Sequence, residues 1–133
     1  MGNKRWVKSN KSVYNIGYHL IWCPKYRRNV LIGRIESRLK ELLHMKAEEL
    51  GLDIQKLEVM PDHVHLFIKT DPTCPPQWVV QQLKGYTSHQ LRNEFPELKS
   101  RLPSLWTRSY YCESVGHISE STIKKYIQEQ KNK

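Results

Sequence analysis

Residues 61–68 read Pro61-Asp62-His63-Val64-His65-Leu66-Phe67-Ile68. A turn dipeptide leads into β-branched, aromatic and aliphatic residues, the composition of a strand. Side chains alternate faces along a strand. Val64, Leu66 and Ile68 therefore face one way, toward a core, and His63 and His65 face the other. Which elements cover the first face, and what meets the second, decides the fold.

Working outward, Asp53 to Met60 reads as a second strand joined to His63–Lys69 through the Pro61-Asp62 turn. Before it lies the clearest helix of the chain, Arg34 to Leu50. Ile35, Leu39, Leu42, Leu43 and Leu50 form its apolar stripe, and Gly51 stands where a left-handed cap belongs. After the third strand, Asp71 to Pro76 is a proline-rich loop. A helix then runs from Pro76 to Glu94, with Trp78, Val79, Leu83, Tyr86 and Leu91 as its buried residues. Pro96 to Pro103 reads as irregular. At the outer limits, Tyr14 to Cys23 is a first strand, Pro24 to Gly33 a basic loop, and Tyr110 to Ser114 a short fourth strand. A last helix spans about Glu120 to Gln130, within 119–133, capped by Ser119 or Ser121.

The order β-α-β-β-α-β followed by a helix is the split βαβ, ferredoxin-like arrangement, an α+β fold. The first and third strands are then central, and both long helices cover one face. His63 and His65 stand on the other, with the C-terminal helix as the element left to cover them.

At 133 residues the chain is expected to form one domain over 1–133, with residues 1–11 a flexible basic arm. No apolar stretch approaches the roughly 20 residues that span a bilayer, and no apolar run follows the basic N-terminus. The expectation is a cytoplasmic protein with no membrane partner. Cys23, Cys74 and Cys112 are odd in number and contain no C-x-x-C pair, which argues against a disulfide framework or a thiolate zinc site. The net charge of +9 and pI near 9.6 point to a polyanion partner, with nucleic acid the commonest.

Two imidazoles are too few for a closed structural zinc site. They suit an open site, with the remaining positions left to water and substrate. Tyr126 and Gln130 are one helical turn apart and share a helix face. An amide oxygen from Gln130 would add a third, harder ligand, and a mixed N/O set suits Mg²⁺ or Mn²⁺ acting on phosphate oxygens. A tyrosine at its ordinary pKa near 10 is a poor nucleophile until a cation stabilises the phenolate and the phosphate. The ordinary readings stand beside these: two polar residues on a wet strand, and a tyrosine that caps the core.

Set together, these stretches resemble the single-tyrosine HUH transposases of the IS200/IS605 insertion-sequence group. The resembling residues are Tyr18-His19-Leu20-Ile21-Trp22-Cys23-Pro24-Lys25-Tyr26-Arg27-Arg28, Val59-Met60-Pro61-Asp62-His63-Val64-His65-Leu66, Lys84-Gly85, Trp106, Ser109-Tyr110-Tyr111 and Ile123-Lys124-Lys125-Tyr126-Ile127-Gln128-Glu129-Gln130. The resemblance implies that His63, His65 and Gln130 hold a divalent metal, Mg²⁺ or Mn²⁺, and that Tyr126 is the nucleophile. It implies a metal-dependent transposase that recognises hairpins in single-stranded DNA. Strands are cut and rejoined through a 5′-phosphotyrosine. It also implies a homodimer, in which the tyrosine helix of one subunit can serve the other.

Lys4, Arg5, Lys8, Lys11, Lys25, Arg27 and Arg28 are candidates for phosphate contacts, with Tyr26 and Trp22 as base-stacking rings. Glu58 and Asp62 are candidates to support the ligands from behind. Their ordinary readings are a surface carboxylate and a turn residue. Three alternatives remain: a non-catalytic RRM-like nucleic-acid binder, a domesticated repeat-processing enzyme, and a replication-type nickase. The first sits poorly with histidines where aromatic stackers are expected.

Overall fold

The structure is a computed structural model. It describes residues 16–115 and the backbone of two short segments, β1 (Val7–Lys8) and β2 (Val13–Tyr14). These two segments pair antiparallel, so part of the expected N-terminal arm carries strand pairing. Lys4, Arg5 and Lys11, the side chain of Lys8, and the expected C-terminal helix with Tyr126 and Gln130 lie outside the described residues.

The stretch expected as one strand from Tyr14 to Cys23 is divided. β2 pairs with β1, whereas β3 (Ile16–Trp22) enters the main sheet. A 3₁₀ turn over Lys25–Arg27 follows, then α1 (Gly33–Leu50), β4 (Asp53–Met60) and β5 (His63–Thr70). α2 (Pro76–Glu94), α3 (Pro96–Arg101) and β6 (Tyr111–Val115) complete the order. The four-stranded sheet runs β4-β5-β3-β6, antiparallel throughout. This is the ferredoxin-like order, with the first and third strands of the βαββαβ unit at the centre.

Local chemistry explains the boundaries. Gly51 ends α1 in the left-handed region, φ 73°, and Leu52 N–H returns to the Ala47 carbonyl at 2.8 Å. Proline opens both α2 and α3, where its missing N–H has no helical partner to lose. That explains a correction at 96–101. Proline there starts a one-and-a-half-turn helix, which buries Leu98.

Leu20 and Trp22 of β3 and Val64, Leu66 and Ile68 of β5 form one face of the sheet, fully buried. They join Leu39, Leu42 and Leu43 of α1 and Val79, Val80 and Leu83 of α2 in one core. Two expected roles change here. Trp78 is 38% exposed and lies off the core face of α2, which instead buries Val79, Val80, Leu83, Thr87 and Leu91. Trp22 is 1% exposed and meets Trp106 edge to face at 6.0 Å. It is a core residue and has no free face for a base, because it shares the strand face of Leu20.

Candidate active site

The register fixes the other face. On β5, His65 lies opposite Ile21 of β3 on one side and Glu58 of β4 on the other. His63 lies opposite Met60, and Phe67 opposite His19. β6 adds Tyr111 beside Ile21 and Glu113 beside His19. Topology alone leaves this face open, yet His19, His65 and Phe67 are all buried.

The His63 and His65 rings are 4.6 Å apart between centroids, at 72°. Metal–nitrogen bonds of about 2.1 Å, with two imidazoles at right angles around one ion, place centroids about 4.5 Å apart. Each Nδ1 is occupied. His63 Nδ1 is 2.7 Å from Asp62 Oδ1, and His65 Nδ1 is 3.3 Å from His19 Nε2. On each ring Nε2 is then the candidate atom for a bound ion. This pairing of an imidazole with a carboxylate on its far nitrogen is how ligating histidines are commonly oriented. The two imidazoles therefore fit a divalent cation. Among the described residues, no group of three His, Cys, Asp or Glu side chains forms a complete ligand set. The expected third ligand, Gln130, lies outside them.

Asp62 lies in the turn between β4 and β5 and bonds the His63 ring through one oxygen. Its other oxygen accepts from Arg27 Nη2 at 2.9 Å. Burial pushes the Asp62 carboxyl up, but hydrogen bonds from His63 and Arg27, with their charges, outweigh it and hold it below the usual range. Glu58 is half-buried directly opposite His65, which places it at the site and off the open surface.

Sequence reasoning missed His19. It stands on β3 diagonal to His65, within reach of a ring across an antiparallel pair. Burial lowers its pKa, against opposing charges from Glu113 and Glu58. Alternation placed His19 opposite in facing to Leu20 and Trp22. Only the β3–β5 register could bring it to His65.

The basic turn lies next to this site. Tyr26 and Arg27 both hold positive φ, 59° and 49°, a conformation L side chains adopt at a cost of ~1–3 kcal/mol each. The turn is pinned from outside: Lys25 N–H donates to the Leu105 carbonyl at 2.8 Å, and Thr107 N–H to that of Cys23 at 3.0 Å. Lys84 in α2 anchors the pinning segment, donating to the carbonyls of Thr107 at 2.5 Å and Ser109 at 3.2 Å. The result is a ring 63% exposed at Tyr26, with Lys25 Nζ 5.5 Å from its centroid. Arg28 is exposed beside it. Lys25, Tyr26, Arg27 and Arg28 thus form a cationic, aromatic surface linked through Asp62 to His63. Cys23, Cys74 and Cys112 are free and half-buried.

A profile of the IS200-like transposases matches residues 12–130. The ISDra2 transposase TnpA of Deinococcus radiodurans is 39% identical over 128 residues, covering 95% of this chain and 91% of that protein. The transposase for insertion sequence element IS200 of Salmonella typhimurium is 29% identical over 119 residues, covering 88% of this chain and 78% of its own. Among solved structures, a transposase crystal structure from Deinococcus radiodurans R1 superposes with a TM-score of 0.77 at 37% identity, covering 93% of this chain and 97% of that one. A REP-associated tyrosine transposase bound to a REP hairpin shares the fold at a TM-score of 0.63 and 11% identity, over 91% of this chain and 68% of that one.

Proposed function

The chain belongs to the IS200-like transposase family and is a DNA strand-transfer enzyme, and from that premise we propose that it cuts and rejoins single-stranded DNA through a 5′-phosphotyrosine at Tyr126. Its targets are element ends marked by hairpins. The observation that carries this reading is the His63–His65 pair, with ring centroids 4.6 Å apart and each Nδ1 held from behind, by Asp62 and His19.

His63 and His65 hold Mg²⁺ or Mn²⁺ with Gln130. When bound, the metal polarises the scissile phosphate and offsets the charge that develops on it. Tyr126 Oη attacks phosphorus, the bond to the 3′ oxygen breaks, and that oxygen leaves as a 3′-hydroxyl after taking a proton. The phosphodiester energy stays in the tyrosyl ester. A second 3′-hydroxyl reverses the step and releases Tyr126, so rejoining needs no nucleotide cofactor. Lys25, Arg27 and Arg28 hold backbone phosphates, and Tyr26 stacks an unpaired base. Lys4, Arg5, Lys8 and Lys11 extend that charge along the hairpin. The protein acts as a homodimer, with Tyr126 of one subunit able to serve the histidines of the other.

The test is a labelled single-stranded element end mixed with the protein and Mn²⁺ or Mg²⁺, read as an SDS-stable adduct. The adduct is expected with the unaltered protein and lost in Tyr126→Phe. An adduct that persists in that variant overturns the assignment of Tyr126. An adduct that forms equally well in the presence of EDTA overturns the metal.

A further inference from the structure

The two candidate ligands are braced differently. His63 has a carboxylate behind it, whereas His65 has a second imidazole. His19 is 1% exposed, on a different strand and 46 residues away in sequence. Its ring lies within 21° of parallel to that of His65, with centroids 5.5 Å apart. That separation is the 3.3 Å Nε2–Nδ1 line plus about one ring radius at each end, so the rings meet edge to edge and nearly coplanar. The nitrogen lone pair of one ring then points along the N–H of the other, the alignment a hydrogen bond needs.

One proton lies between the two nitrogens, and only two arrangements exist. If His19 Nε2 donates, His65 carries its proton on Nε2 and cannot bind a metal there. If His65 Nδ1 donates, its Nε2 carries no proton and can bind a metal. We propose that His19 is a positioning residue that accepts the Nδ1 proton of His65 and so fixes that ligand in its metal-binding tautomer before metal arrives. This rests on the reading of His63 and His65 as metal ligands. It assigns His19 no contact with substrate.

The first test needs no variant. Long-range ¹H–¹⁵N correlation on the metal-free, full-length protein should show His65 protonated at Nδ1 and His19 accepting at Nε2. A proton on His65 Nε2 overturns the proposal. The second test measures Mn²⁺ affinity from the EPR signal of the free ion. His19→Phe, which keeps a ring but removes the acceptor, should weaken binding about 10–100-fold. His19→Gln, whose amide oxygen can stand where Nε2 stood, should restore it to within about threefold, a recovery that simple core filling does not explain. Affinity unchanged in His19→Phe overturns the proposal, as does equal loss in both variants. Should His19→Phe fail to fold, the tautomer and the glutamine variant decide. Binding indifferent to both His63→Ala and His65→Ala marks the separate failure of the metal-site reading, and the tautomer result stands apart from it.

Discussion

Asp62 joins His63 to Arg27: one carboxylate oxygen is 2.7 Å from His63 Nδ1 and the other 2.9 Å from Arg27 Nη2. The two bonds differ in setting. The Arg27 side chain is 70% exposed, so its pair with Asp62 is worth only about 0.2–1 kcal/mol. The bond to His63 orients a proposed metal ligand. Asp62→Ala should therefore weaken Mn²⁺ binding about 10–100-fold in calorimetric titration. Arg27→Ala should cost at most about fivefold, the upper limit of an exposed pair. Equal losses would mean that charge reaching the metal, and not ring orientation, is what Asp62 supplies.

Tyr26 combines a strained backbone with an exposed ring, and one substitution separates them. Asparagine tolerates positive φ better than most residues, so Tyr26→Asn should leave urea stability unchanged or raise it by less than about 1 kcal/mol. The same change removes the ring. Affinity for single-stranded DNA should fall by the stacking contribution, about 1–3 kcal/mol, in a fluorescence anisotropy titration. Undiminished affinity would show that the exposed ring at 26 meets no base.

Where local rules were sufficient, the sequence was read correctly. β4 falls at Asp53–Met60 and α2 at Pro76–Glu94, because turn, cap and proline signals bracket both. α3 escaped because six residues are too few for a helical period to show. The faces of His63 and His65 followed from alternation alone. His19 did not, since its meeting with His65 depends on how two strands 46 residues apart slide into register. Nothing in Lys25-Tyr26-Arg27 announces positive φ. That conformation is imposed by contacts from Leu105 and Thr107, far along the chain.

Gly17 is the tight point of the same sheet face. A Cβ there would stand 3.1 Å from the Phe67 ring and 3.2 Å from the Val115 carbonyl. The ring can shift slightly, but the carbonyl belongs to β6 and is held by the ladder. Gly17→Ala should destabilise the protein by about 1–3 kcal/mol, as overpacking does. The change should appear as a lower urea midpoint at an unaltered m-value. A gain in stability would mean that the edge strand β6 yields freely.

Whether Tyr126 serves its own histidines or a partner's is open to complementation. Tyr126→Phe and His63→Ala each remove a different half of the proposed site. If the nucleophile works across a dimer, mixing the two inactive variants should restore adduct formation, because one mixed site then has a full set. A mixture that stays inactive under conditions where subunits exchange argues for a nucleophile acting within one subunit.

His19 also sets a pH dependence of stability. Burial holds its folded pKa below 6.5, so the unfolded chain binds a proton at pH values where the folded ring stays neutral. Folding is then fully favoured above about pH 6.5 and loses stability as pH falls through the folded value. Metal-free protein should show a falling urea midpoint between about pH 7.5 and 5. His19→Gln has no proton to take up at this position and should show a shallower decline over the same range. Parallel slopes in the two proteins would place the acid sensitivity elsewhere, with His19 charged at no cost inside the sheet.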